Sequence, residues 1–206
     1  MSTGTAVPGW SPALCAPQRA PRLRDFDEVV PPRFGRTVAR RARPGEIGAT
    51  LAAASAAIIR MQAATRAVVA RVASENPDSL WVFIREGVLV GCAAMMMLNA
   101  TGLAALISGE MDVRDPAPSY LTAAGGRPAA IYVWALASPS VAADGIAKII
   151  LRLRAPPYER ADIYASPATR AGLRFSRGLG FEPIPGHPRN LLRYIRQINR
   201  EHQFGD

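Results

Sequence analysis

Lysine is almost absent from this sequence: Lys148 is the only one among 25 basic residues, and the rest are arginine. Histidine and cysteine are nearly as scarce, with 2 of each. Cys15 and Cys92 stand too far apart to suggest a disulfide framework or a thiolate cluster. His187 and His202 both lie near the C-terminal end. A zinc centre or a Ser-His-Asp triad is therefore poorly supported, and no metal ligands are expected. The N-terminal stretch holds no apolar run followed by a cleavage site, so the expectation is a cytoplasmic protein. Internal repeats are lacking. So is concentrated charge: the formal total is +9, but the arginines are scattered. Composition alone makes no strong case for nucleic acid.

Hydrophobic residues fill 49% of the 206 positions, which suits one cored domain with or without an arm. Residues 1–44 are rich in Pro, Arg and Gly and read as an irregular arm, leaving 45–206 as the domain. Arg33, Arg36, Arg40, Arg41 and Arg43 form the one basic cluster there. From Glu46 to about Ala73 the chain favours helix, either one long helix or two joined by a bend. Asn76-Pro77-Asp78 stops it. Leu80–Arg85 and Val88–Leu98 then read as strands around a Glu86-Gly87 hairpin turn. Val88 to Ile107 carries no charge, and a membrane span takes about 20 such residues. Asn99-Ala-Thr-Gly102 reads as a turn that interrupts the run, so two buried strands are expected and no span. The Met95-Met96-Met97 triplet is expected to fill core.

The second half alternates strand and helix. "AAIYVWALA", 129–137, is a strand, and Val141–Leu153 a helix with Ile146, Ile149, Ile150 and Leu153 on one face. Asp162–Ala165 is a strand. Ser166 and Pro167 look like the cap and first position of the next helix. Ala168, Ala171, Gly172, Phe175 and Leu179 form its inward stripe, while Arg170, Arg174 and Arg177 point away. Gly178 and Gly180 end it, Phe181–Ile184 is a short strand, and Leu191–Ile198 closes the domain.

The loop after the 129–137 strand carries small residues and opens a helix at Gly145-Ile146-Ala147. Free N–H groups at such a helix start attract phosphate. The arrangement resembles the GCN5-related N-acetyltransferase (GNAT) superfamily. That family's pyrophosphate loop reads Pro-x-x-(Arg/Gln)-x-x-Gly-x-(Gly/Ala), and Pro139, Gly145 and Ala147 fall at its spacing. Ala142 stands where Arg or Gln is usual, and Asp144 sets a carboxylate beside the same anion. A later family segment, Asn-x-x-Ala-x-x-x-Tyr-x-x-x-Gly-Phe, matches at Gly180-Phe181. Thr169, Gly172 and Ser176 fall at its Asn, Ala and Tyr positions.

The resemblance implies an α/β (α+β) fold, with a mixed, mostly antiparallel sheet flanked by helices. It implies acetyl-CoA or another acyl-CoA as co-substrate, lying in a splay between the fourth and fifth strands. The backbone of Leu136 and Ala137 would pair with the pantetheine arm. The amides of Val141, Ala142, Ala143, Asp144, Gly145, Ile146 and Ala147 would cradle the pyrophosphate, with Lys148 adding charge and Thr169 and Gly172 nearby. A small-molecule or protein amine would be the acceptor, and a homodimer is compatible with the family. Ser176, in place of the tyrosine acid, is a poorer proton donor than a phenol of pKa about 10. The 131–136 strand offers no carboxylate, so Glu110 and Asp112 in the preceding loop are the nearest candidate bases. Tyr132 and Trp134 would share one face of that strand and line an acceptor pocket or the core. The function expected is N-acyl transfer. The alternatives are a non-catalytic CoA-binding or interaction protein of the same fold, a basic nucleic-acid-associated protein, and a membrane-associated one.

Overall fold

The computed structural model describes residues 37–57, 64–138 and 143–196. Among the described residues seven strands form one sheet: β1 (Val38–Arg41), β2 (Leu80–Arg85), β3 (Val88–Leu98), β4 (Ala130–Ala137), β5 (Asp162–Ala165), β6 (Glu182–Pro183) and β7 (Leu192–Tyr194). Their spatial order is β1-β2-β3-β4-β5-β7-β6. Every neighbouring pair is antiparallel except β4 and β5. Five α-helices among the described residues flank it: α1 (Ile47–Ala57), α2 (Arg66–Glu75), α3 (Ala100–Ser108), α4 (Ala143–Leu153) and α5 (Arg170–Gly178). The mixed, mostly antiparallel arrangement is the one expected.

Strand alternation splits the core between the two sheet faces. Phe83, Met95, Met97, Ile131 and Ile163 pack on one face with Ile149, Ile150 and Leu153 of α4. Met96, Leu98, Tyr132 and Tyr164 pack on the other with Val68 and Val72 of α2 and Leu106 of α3. The methionine triplet therefore serves both faces. The β2–β3 turn is tight because Glu86 and Gly87 both take positive φ, 52° and 79°. That is the backbone a two-residue hairpin needs.

Three expectations need correction. The edge strand β1 lies inside the stretch read as an arm. Ala39 is 1% exposed against the core, and Arg41 Nε lies 2.8 Å from Asp78 Oδ1. The second uncharged segment is not a strand: Asn99 caps α3, its Oδ1 accepting from Gly102 N at 2.9 Å. Its Nδ2 donates to Ser119 O at 2.7 Å and pins the helix start to the 118–120 turn. Last, Ser166 does not cap α5. Thr169 does, with Oγ1 accepting from Gly172 N at 3.0 Å, so Ala168 and Ala171 are exposed and Leu173 turns inward in their place.

Among the described residues no helix is long and apolar enough to cross a membrane. Among the described residues the helical region after Glu46 holds two helices. Thr65 caps the second, accepting from Val68 N at 3.3 Å.

Candidate functional site

The site is built around β4. On one side it pairs with β3 along its length, with an irregularity where Ala94 faces Ala135 and Met95 faces Val133. Trp134 is the extra residue, a bulge that bends the strand. On the other side β5 pairs with Ala130–Val133 alone, and the last matched pair is Val133 with Ala165. Beyond it the strands part, and among the described residues Trp134–Ala137 has no strand on that edge. Four residues of open edge run about 13 Å, enough for an extended ligand arm to hydrogen-bond with main chain. Leu136 is half-buried and Ala137 buried on this stretch.

Helix α4 begins just past the splay, at Ala143. Its first-turn N–H groups have no partner within the helix, and its dipole favours an anion there. Asp144 sits in that turn, half-buried, and Lys148 one turn on is exposed. Pro139, Val141 and Ala142 lie outside the described residues. Ile146 packs partly against the core, and Ala147 is half-buried. Gly145 has a different job from the one its motif position suggests. It is buried, and a Cβ there would come within 2.7 Å of Phe83 Cδ1 and 3.5 Å of the Ala39 Cβ. Its missing side chain lets α4 sit close on β1 and β2.

Thr169 and Gly172 are joined to each other by the α5 cap, at the end of the loop that leaves β5. Ser176 is 9% exposed on the inner side of α5. Glu110 follows α3 and is exposed. Its neighbours are fastened to the β6–β7 loop: Arg189 donates to Met111 O at 2.6 Å and Gly109 O at 3.4 Å. His187 Nε2 lies 3.0 Å from Leu106 O, while its Nδ1 accepts from Arg189 N. That loop leaves the sheet beside the C-terminal end of β5, since Ala165 pairs with Leu192. The Glu110 segment thus reaches the splay end of the sheet. Asp112 is exposed, and hydrogen bonds from the Arg114 backbone and side chain hold its carboxyl below the usual range. Neither group is desolvated in the way a tuned base usually is.

Two hydroxyls stand at the base of the splay. Tyr132 is 4% exposed on the α2–α3 face. Ser166 is the first residue of β5's run beyond the last matched pair. Burial raises the Tyr132 phenol above its ordinary value, and the Ser166 hydroxyl beside it acts the other way. The sequence marks Ser166 as a cap, and its Ser-Pro pattern gives no signal for this place. Trp134 shares Tyr132's side and touches the clusters under α1, α2 and α3.

Among the described residues the one thiol is a poor nucleophile: burial pushes Cys92 up to about 11. A buried ion network stands at the far edge of the sheet. Asp78 accepts from Arg41, from Arg152 Nε at 3.1 Å and from Tyr158 Oη at 3.0 Å. Burial alone would raise this carboxyl, but the bonds from Arg41, Tyr158 and Arg152 hold it below its ordinary value. The network joins β1, the 77–79 turn and the end of α4, and its role is structural.

No protein-family model matches the chain, and no curated protein is similar to it. Solved structures do resemble it. The loading GNATL domain of CurA from Lyngbya majuscula superposes with a TM-score of 0.53 at 12% identity, over 78% of this chain and 98% of that one. The GphF GNAT-like decarboxylase in complex with isobutyryl-CoA gives 0.48 at 18% identity, over 76% and 98%. Aminoglycoside acetyltransferase AAC(6')-Ib in complex with coenzyme A gives 0.46 at 16%, over 82% and 99%. At such identities the first likeness shows the fold: this chain has the architecture of GNAT-like domains.

Proposed function

We propose that this protein is an acyl-CoA-dependent N-acyltransferase acting on an amine. The observation that carries the reading is the parting of β4 from β5 after Val133 and Ala165, with the start of α4 just beyond. An extended pantetheine arm fits an unpaired strand edge, and a diphosphate fits the adjoining helix start. In this reading Leu136 and Ala137 hold the arm, and the amides from Val141 to Ala147 hold the diphosphate. Positioning the thioester beside a neutral amine supplies most of the rate. Acetyl is the acyl group proposed, and the cytoplasm the compartment.

Calorimetric titration of CoA tests this. The wild type should bind. Asp144→Asn should bind as well or better, since a carboxylate leaves the anion's surroundings. Lys148→Ala should bind a few-fold more weakly, in line with about 0.5–1 kcal/mol for an exposed charge. Absence of any heat or thermal shift at millimolar CoA would refute the reading. A second reading, CoA binding without turnover, is favoured by Ser176 at the position of the family's acid. It predicts binding but no thiol release from acetyl-CoA with any of a panel of amines.

A further inference from the structure

We infer that the acceptor is a small primary amine with an apolar body and no anionic tail, and that this body lies in a recess beside the splay, on the α2–α3 face. This rests on the acyl-transfer reading above and adds to it the substrate class.

The register builds the floor of the recess. Tyr132 of β4 lies opposite Tyr164 of β5, Tyr164 opposite Arg193 of β7, and Arg193 opposite Glu182 of β6. Residues directly opposite share a face, so the four side chains form one row across the sheet. The row crosses β5 one residue before Ala165, where the pairing with β4 ends. Helices α2 and α3 pack over its β4 end. Over its other end lies a recess of about 330 Å³, lined by Tyr164, Arg193, Glu182, Ile184 and Ile195 and bordered by Ile107 of α3. Small-ligand pockets run from about 300 to 1,000 Å³, so this one suits a small molecule. Neighbouring strands lie about 4.8 Å apart. A body of six or so carbons resting between β6 and β5 therefore brings its nitrogen to the mouth of the splay.

The lining sets the class. Ile107 is 44% exposed, and Ile184 and Ile195 are half-buried. Three isoleucines facing water around one hollow favour an apolar occupant. Arg193 is already engaged: Nε at 2.9 Å and Nη2 at 2.5 Å both donate to Asp162 Oδ2, which offsets its charge. Glu182 stands at the outer end of the row, so a carboxylate tail would meet a like charge there. The transfer itself balances. The ammonium sheds one proton to water, and its nitrogen bonds to the acyl carbon. The carbon–sulfur bond breaks with its electron pair on sulfur, and the nitrogen's surplus proton ends there, giving an amide and a thiol.

Calorimetric titration of amines into the CoA-saturated protein tests the class without turnover. Hexylamine should bind, and propylamine at least about tenfold more weakly, since each buried methylene is worth about fourfold. The carboxylate-tailed 6-aminohexanoate should also bind at least about tenfold more weakly than hexylamine. Ile107→Asp should remove most of the preference for hexylamine over propylamine while CoA binds as in wild type. Glu182→Gln should narrow the gap between hexylamine and 6-aminohexanoate. Equal binding of hexylamine and propylamine overturns the inference, as does an unchanged preference in Ile107→Asp. A dimer that Ile107→Asp splits, with no hexylamine bound to wild type, overturns it too and makes the recess an interface between copies. If Ile107→Asp no longer binds CoA, it has lost its fold, and Glu182→Gln decides: an unchanged gap then overturns the placement. If wild type binds no CoA, the acyl-transfer reading itself fails and takes this one with it, whereas CoA binding without hexylamine binding sinks the acceptor class alone.

Discussion

At the scale of single residues, two buried positions carry more than their side chains suggest. Gly145 is tolerated in a helix, at a cost of about 1 kcal/mol against alanine, because α4 rests on the Phe83 ring. Phe83 is 0% exposed and has no room to give. Gly145→Val should therefore destabilise the protein by about 2 kcal/mol through overpacking. A urea titration would read this as a lower midpoint with unchanged slope. An unaltered midpoint would mean that the helix shifts freely on the sheet. Asp78 is the second position. Asp78→Asn keeps the shape but leaves Arg41 and Arg152 without their carboxylate. The side chain of Arg41 is 52% exposed and that of Arg152 29%, so water recovers part of the loss. A destabilisation of about 2–3 kcal/mol is expected, at the low end for a broken buried pair. Chemical denaturation at pH 7 checks it.

At the scale of elements, the two surprises are β1 and α3. Val38–Arg41 is too short and too basic to announce itself, with Arg40 and Arg41 as half of its residues. What makes it a strand is the open edge of β2, which supplies partners from Trp81 to Ile84. Ala39 then closes the core beside Phe83. Chains beginning at Thr37 and at Arg43 isolate its contribution. The second should melt lower by at least about 5 °C, the equivalent of somewhat over 1 kcal/mol in a domain of this size. Equal melting temperatures would show that the edge adds nothing. For α3, apolar periodicity cannot decide between strand and helix in a short uncharged run. The decision falls to Asn99, whose side chain caps the first turn and reaches the 118–120 turn at once. The same helix carries Glu110 toward the splay end, through bonds from Arg189 that join segments far apart in sequence.

At the scale of the whole molecule, basic residues outnumber acidic ones and hold several carboxylates in the charged form. Hydrogen bonds from Arg40 and from the Arg43 backbone bring Glu46 down to about 2, against an ordinary 4.5. Asp78 and Asp112 are lowered as well. A carboxyl depressed by folding adds stability above its unfolded pKa, and that contribution is lost as pH falls through the folded value. Stability should be flat from about pH 7 to 5 and decline between about pH 4.5 and 2. Melting scans at half-unit pH steps test this. A decline that began above pH 6 would point to other groups.

The hairpin at Glu86-Gly87, the strands on either side of it, β5 and the core face of α4 are legible in the sequence, because period and turn chemistry are local. Gly145, Ala147 and Gly180-Phe181 carry the fold by their spacing. The cap of α5 is not legible along the chain: Ser166-Pro167 fits a helix start by pattern, and only the packing of Leu173 and Phe175 against the core puts the cap at Thr169. The reason for Gly145 is hidden too, because a glycine's partner lies across space and leaves no mark along the chain. Tyr132 and Ser166 stand 34 positions apart in sequence. Only parallel pairing, in a register set by burial on both faces, brings these two side chains to the point where two strands separate. Local sequence determined which elements form. Long-range pairing decided where the sheet opens and what waits there.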